Sequence, residues 1–336
     1  MIIDAHAHVV APPALYAYRS LLIATDGHGA PPPTISDAAL AESAASNVAI
    51  MDAVHTDVQL ISPRPFQQGH SMRPPAIVDA WIRENNDLIA RTVELHPDRF
   101  AGVCGLPFIA EESVERVLPE LERTVTSLGF VGVQLNPDPT EGRGFVPGMG
   151  DRYWYPLYEK LCELDVPAMV HSAACHNGRE TYSEHFITEE SIAILSLLRS
   201  TVLDDFPDLR LIISHGGGSV PYQVGRWRAG RLNPIIGGHP DATPFDELLR
   251  RLWFDTVLYN QESLELLFRI VGTDRCLFGT EKPGSGSAVD PATGLAFDDL
   301  KPVIEGIDFL SAGDRAGIFC DNAQRAFPRL KVSGGR

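Results

Sequence analysis

The order of its segments constrains this chain most. Short apolar, β-branched stretches alternate with longer helical patterns along its length. The strand candidates are 2–8, 58–62, 100–106, 130–136, 168–172, 209–215, 253–258 and 276–280. Helical periodicity falls between them, at 37–54, 76–95, 113–128, 153–164, 189–205, 220–231 and 263–271. Further helical patterns follow at 298–306, 312–319 and 322–327. Eight strands, each followed by a helix, predict an α/β fold, a (β/α)8 TIM barrel. A doubly wound sheet is the competitor, but it usually carries a Gly-rich loop after its first strand. Here that strand ends His6-Ala7-His8. One barrel is expected over 1–330, with a tail at 331–336 and no internal repeat. Pro31-Pro32-Pro33 reads as part of a long first connection over the barrel mouth. The segments 136–150 and 284–287 read the same way after the fourth and eighth strands.

Composition removes several function classes. The 336 residues carry a net charge of −16 without a long basic run, so nucleic acid is not an expected partner. An anionic substrate must then be held by a few local cations. No stretch approaches the ~20 apolar residues of a membrane span, and no secretory pattern opens the chain. The five cysteines, Cys104, Cys162, Cys175, Cys276 and Cys320, include no C-x-x-C pair. They read as reduced thiols, and the chain as cytoplasmic. Cys175 lies near His171 and His176, but a free cysteine usually packs as a small hydrophobe.

In such a barrel the chemistry sits at the C-terminal ends of the strands. His6 and His8 are two apart, so a strand points both to one side. The fifth strand closes on His171 and the sixth on His215-Gly216-Gly217. The second ends Ser62-Pro63-Arg64, the fourth Gln134-Leu135-Asn136, and the eighth Gly279-Thr280-Glu281-Lys282. His6, His8, His171 and the Glu281 carboxylate could converge on one divalent ion, as in catalytic zinc sites with an open position. His215 reads as a neighbour of that centre or a proton shuttle. Arg64 suits a bidentate grip on a substrate carboxylate. Asn136, Lys282, Ser285 and Ser287 are its candidate helpers. His55, His96 and His239 read as surface residues, and His176 and His185 as members of a loop after the fifth strand.

These motifs resemble the amidohydrolase superfamily, in its branch of metal-dependent decarboxylases and hydratases. The likeness rests on His6-x-His8, His171, His215-Gly216-Gly217, the acid after Phe278-Gly279-Thr280, and the closing segment with Asn322-Ala323. Binuclear members carry a bridging lysine after the fourth strand. This chain has Gln134 and Asn136 there, so a single metal is expected. Most members place aspartate after the eighth strand, whereas Glu281 stands here. The run from Gly279 to Ser287 resembles hydratases of 4-oxalomesaconate, which act in protocatechuate and gallate catabolism. The resemblance implies one Zn2+ on His6, His8 and His171, with Glu281 as acid/base rather than firm ligand. It implies a hydro-lyase adding water to an unsaturated di- or tricarboxylate, and a homodimer. The same imidazoles accept Mn2+, Fe2+ or Co2+. Three other readings remain open here: a non-oxidative decarboxylase of an aromatic or unsaturated acid, a lactone or amide hydrolase, and a metal-binding barrel without turnover.

Overall fold

The computed structural model describes residues 1–331. Most of the expected tail, 332–336, lies outside the described residues. The strands are β1 (Ile3–His8), β2 (Val58–Ser62), β3 (Phe100–Cys104), β4 (Gly132–Leu135), β5 (Ala168–Val170), β6 (Leu211–Ile213), β7 (Trp253–Asp255) and β8 (Cys276–Leu277). Each pairs in parallel with the next in chain order. The ring closes between its two ends: Ala5 N–H donates to Phe278 O at 2.8 Å, and Glu281 N–H to His6 O at 2.7 Å. This is the nearly closed (β/α)8 barrel that the alternation predicts.

Ile3, Ala5, Leu60, Val103, Ile212 and Leu277 form one interior cluster, floored by Ala323, Ala326 and Phe327 from the closing segment. A second, larger cluster joins the sheet to its helices. Each fully buried Leu, Ile or Phe contributes about 1.5–3 kcal/mol, so both layers hold the strand ends rigidly.

One irregularity matters for function. Asp4 sits opposite Gln59, but Ala7 sits opposite Ile61, so β1 carries one extra residue between them. Such a bulge re-aims the side chains beyond it. Ile3 and Ala5 point into the interior cluster, and after the bulge His8 faces Ser62 and the mouth.

Helices α1 (Pro13–Ala24), α2 (Asp37–Ala53), α3 (Pro75–Leu95), α4 (Leu118–Thr126), α5 (Tyr155–Leu164) and α6 (Tyr182–Arg199) pack outside. Several expectations need correction. The first connection is not all loop, because α1 occupies its start; Pro13 opens it and Leu15, Tyr18 and Leu22 bury one face. The helix expected at 189–205 begins at Tyr182 and ends at Arg199. Thr181 and Glu184 form a capping box at its start, and Val202–Asp205 is a separate short helix. His185 therefore lies on a helix, not in a loop. The pattern at 312–319 also divides, into Ala312–Ala316 and a π-turn at Gly317–Asp321. Among the described residues no helix is long and apolar enough to cross a membrane.

Candidate active site

Four imidazoles meet at the C-terminal mouth of the barrel. The His6 ring lies 5.1 Å from His8 and 5.0 Å from His171, and His171 lies 4.8 Å from His215, centroid to centroid. All four are buried. All four have their Nδ1 atoms committed, that of His215 to Glu190 Oε1 at 2.9 Å. His6 Nδ1–H donates to Asp255 Oδ2 at 2.6 Å, His8 Nδ1–H to Ser62 Oγ at 2.9 Å, and His171 Nδ1–H to Ser172 O at 2.7 Å. The Asp255 and Ser172 oxygens only accept, which puts the hydrogen on Nδ1 and presents Nε2 of His6 and His171 as lone pairs. The Ser62 hydroxyl, directed at Ala7 O or Pro63 O at 3.3 Å, gives His8 the same tautomer. The Nε2 atoms of His6, His8 and His171 have no hydrogen-bond partner among the described residues. Orphaned buried polar atoms are costly, and three on converging rings suit a divalent cation. The carboxylate behind His6 is the outer-shell arrangement that orients metal-binding imidazoles.

The neighbours of these rings also offer donor atoms. His6, His171, His215 and Glu281 each offer a donor atom within 4.8 Å of the others. His8 joins from the Glu281 side, its Nε2 3.5 Å from Glu281 Oε1. The structure brings all five residues together, and the geometry adds His215 to the atoms able to ligate.

The charges are ordered. Burial favours the neutral carboxyl of Glu281, but the close approach of His8 and the nearby His215 and His6 outweigh it, so Glu281 stays well below the usual carboxylate range. Burial favours neutral His215, yet Glu190, bonded to its Nδ1 at 2.9 Å, and Glu281 push it up to about 10. Burial and the neighbouring imidazoles hold His171 neutral. His8 falls to about 4, chiefly through burial.

Backbone geometry explains the glycines beside His215. His215 has φ 49°, and Gly216 and Gly217 have φ 61° and 86°. A Cβ on Gly217 would meet the Phe254 ring at 2.8 Å. Only glycine tolerates both the left-handed turn and that approach. Asp255 Oδ1 accepts from Gly216 N–H at 3.2 Å, so one carboxylate fixes both this turn and His6.

Above the imidazoles lies a cavity of about 400 Å³. His8, Arg64, Phe66, Tyr182, Phe186, Glu281, Ser285 and Ser287 are among its lining residues. The Arg64 guanidinium forms no ion pair among the described residues. Asn136 and Lys282 do not line this cavity, which corrects their expected place. The Asn136 amide is taken up by His70 Nδ1 at 2.8 Å and by Asp138 backbone atoms at 2.9 and 3.0 Å. Lys282 Nζ pairs with buried Asp298 at 2.8 Å. Ser287 keeps its place at the rim while donating to Asp298 at 2.5 Å.

Sequence reasoning missed several contributors. Asp255 carried a readable signal, an acid closing an apolar strand. Tyr259 did not: its hydroxyl donates to Glu281 Oε2 at 2.7 Å, and only the fold brings the two together. Tyr182 and Phe186 line the cavity from α6, and Phe186 stacks on His215 at 5.7 Å and packs edge-on to His171 at 4.7 Å.

Comparison with known proteins agrees with this geometry. The family model described as amidohydrolase matches residues 3–329. The chain belongs to the amidohydrolase family. It is an enzyme of that family, whose members use a divalent metal. This amidohydrolase is 39% identical to a 2-keto-4-carboxy-3-hexenedioate hydratase of Sphingobium sp., over 98% of this chain and 97% of the relative. It resembles the solved 4-oxalomesaconate hydratase of Rhodopseudomonas palustris with TM-score 0.87 and 33% identity, covering 98% of this chain and 96% of the other. A gamma-resorcylate decarboxylase of Polaromonas sp. is more distant, at 30% identity over 73% of this chain and 75% of its own.

Proposed function

We propose that this amidohydrolase is a hydratase that adds water across the C=C bond of 4-oxalomesaconate, giving 4-carboxy-4-hydroxy-2-oxoadipate. One observation carries the reading. Three orphaned Nε2 atoms and an ionised glutamate lie beneath a cavity lined by an arginine unpaired among the described residues. His6, His8 and His171 would hold one ion, zinc by the chemistry of neutral imidazoles, with His215 and Glu281 at its edge. A divalent ion there supplies Lewis acidity and lowers the pKa of bound water to about 7.

The protein's own groups do the rest. Arg64 grips a substrate carboxylate with a charge-assisted fork, and Ser285 and Ser287 donate from the rim. Glu281, ionised at rest, would take the proton released as the water's oxygen bonds to one carbon and deliver it to the neighbouring carbon. Its length lets Oε1 reach His8 while Tyr259 holds Oε2. His215, braced by Glu190 at its Nδ1, would face the substrate with its other ring edge as a hydrogen-bonding or proton-carrying group. Phe66, Tyr182 and Phe186 wall one side against bulk water.

A hydration assay tests the proposal. The purified, metal-loaded enzyme with 4-oxalomesaconate is expected to bleach the conjugated-diacid absorbance and give the tertiary alcohol. Release of CO2 from an aromatic acid, or lactone hydrolysis, without any hydration would overturn it. A cytoplasmic homodimer belongs to the same proposal, and solution mass tests the dimer.

A further inference from the structure

A second cluster of donor atoms lies beside the mouth, on residues the barrel centre does not use. His185 and Glu189 are four apart on α6 and so share one face of the helix. Asp138, in the loop after β4, meets them there. The three offer donor atoms within 4.8 Å of one another.

His185 is the informative member. Its side chain is 2% exposed, and its Nδ1 bonds Glu180 Oε1 at 3.0 Å. Its Nε2 points at Asp138 Oδ2 from 3.3 Å but has no hydrogen-bond partner among the described residues. With Nδ1 bonded to one carboxylate, the Nε2 edge faces a second. Burial lowers the His185 pKa, but Asp138 and Glu180 outweigh it and raise it, so a proton or a cation must sit on that edge. Two lone-pair donors in that relation repel unless something positive lies between them. The pattern repeats that of His6, with a carboxylate behind the ring and an orphaned nitrogen in front.

We propose that Asp138, His185 and Glu189 form a second divalent-cation site, separate from the barrel-mouth centre. Donors 3.3 Å apart, each bonded to an ion at ~2.0–2.2 Å, subtend about 105°, close to a tetrahedral angle. One imidazole and two carboxylates make a nitrogen–oxygen donor set suited to Zn2+ or Mn2+. Cys175 does not belong to it. Cys175 shares His185 only through Glu180 and Nδ1, and that nitrogen is already committed. Asp138 is prearranged, because Thr140 N–H and Gly142 N–H hold its two oxygens at 2.9 and 2.7 Å. Glu189 is half-exposed, so the ion exchanges with solvent more readily than one enclosed by the mouth histidines. Occupancy would pin the first turns of α6 to the loop after β4. Those turns carry Tyr182 and Phe186, the cavity wall.

Equilibrium dialysis of the holoenzyme against Mn2+, with metal counted per chain, tests this. After dialysis without added metal, one ion is expected, at the barrel mouth. With Mn2+ present, wild type is expected to take up one more, and Glu189→Gln to bind that ion at least tenfold more weakly. His185→Gln is expected to abolish the extra uptake, and His171→Ala to retain it while losing the mouth ion. If uptake is identical in wild type and Glu189→Gln, or wild type gains nothing, the proposal is overturned. Loss of metal in His171→Ala alone concerns only the barrel centre, so the two assignments fail separately.

Discussion

At the scale of single residues, the account turns on which side chains are free to act. Among the described residues Arg64 lines the cavity without an anionic partner, whereas Lys282 is held by Asp298. Arg64→Met therefore removes a charge-assisted contact worth roughly 1.5–3 kcal/mol. Steady-state kinetics are expected to show KM rising about ten- to a hundredfold with kcat little changed, since the loss falls mainly on substrate binding; unchanged KM would make Arg64 a plain surface cation. Tyr259 acts through Glu281. Tyr259→Phe deletes the bond to Oε2 but keeps the ring that packs near Gly286. It is expected to lower kcat about tenfold, leave KM and metal content unchanged, and enlarge the isotope effect on the proton transfer. A merely structural tyrosine would lower stability without moving that isotope effect.

At the scale of elements, the barrel was legible because strand and helix periods differ and alternate cleanly. β2 matches its expected bounds of 58–62, and the β1 and β3 starts lie within one residue of expectation. The strand ends were read too long, because the apolar run continues while the backbone leaves the ladder to place His171 and His215. α1 was hidden by the proline-rich segment after it, although Pro12-Pro13 is itself a helix-start signal. The metal-ready histidines could be read because each ends an apolar strand. Glu190, Tyr259 and the orphaned face of His185 could not, since their meaning lies in contacts across 25, 22 and 47 positions of sequence. The bulge in β1 was equally invisible, yet it aims His8 at the mouth. Asn136 shows the opposite error: a polar residue ending a strand looked functional, but His70 and Asp138 satisfy its amide.

At the scale of the whole molecule, buried ionisable groups couple folding to pH. His70 is fully buried; its Nε2–H donates to Leu106 O at 3.0 Å and its Nδ1 accepts from Asn136. Burial, partly offset by Glu141, lowers its pKa from 6.5 to about 4. Between those values the unfolded chain binds a proton that the native protein refuses, so His70 costs stability as pH falls from about 6.5 towards 4. The loss reaches about 3 kcal/mol. Urea unfolding of wild type and His70→Gln across this range is expected to show the difference between them shrinking as pH falls. A difference independent of pH would show that His70 titrates normally. The net charge of −16 also disfavours anionic substrates at long range, which places the recognition burden on Arg64 and the metal centre.

The central claim is that a metal centre and Glu281 together perform hydration, and one preparation of Glu281→Gln tests it most directly. Metal content and turnover of 4-oxalomesaconate are measured on the same sample as wild type. Glutamine keeps the length and one acceptor oxygen for the Tyr259 hydroxyl but cannot move a proton. The account predicts one retained ion at the barrel mouth and kcat lowered by about 10²-fold or more, the usual scale of general acid–base catalysis. Loss of the ion would instead make Glu281 an essential ligand, and wild-type turnover in the variant would contradict the account outright.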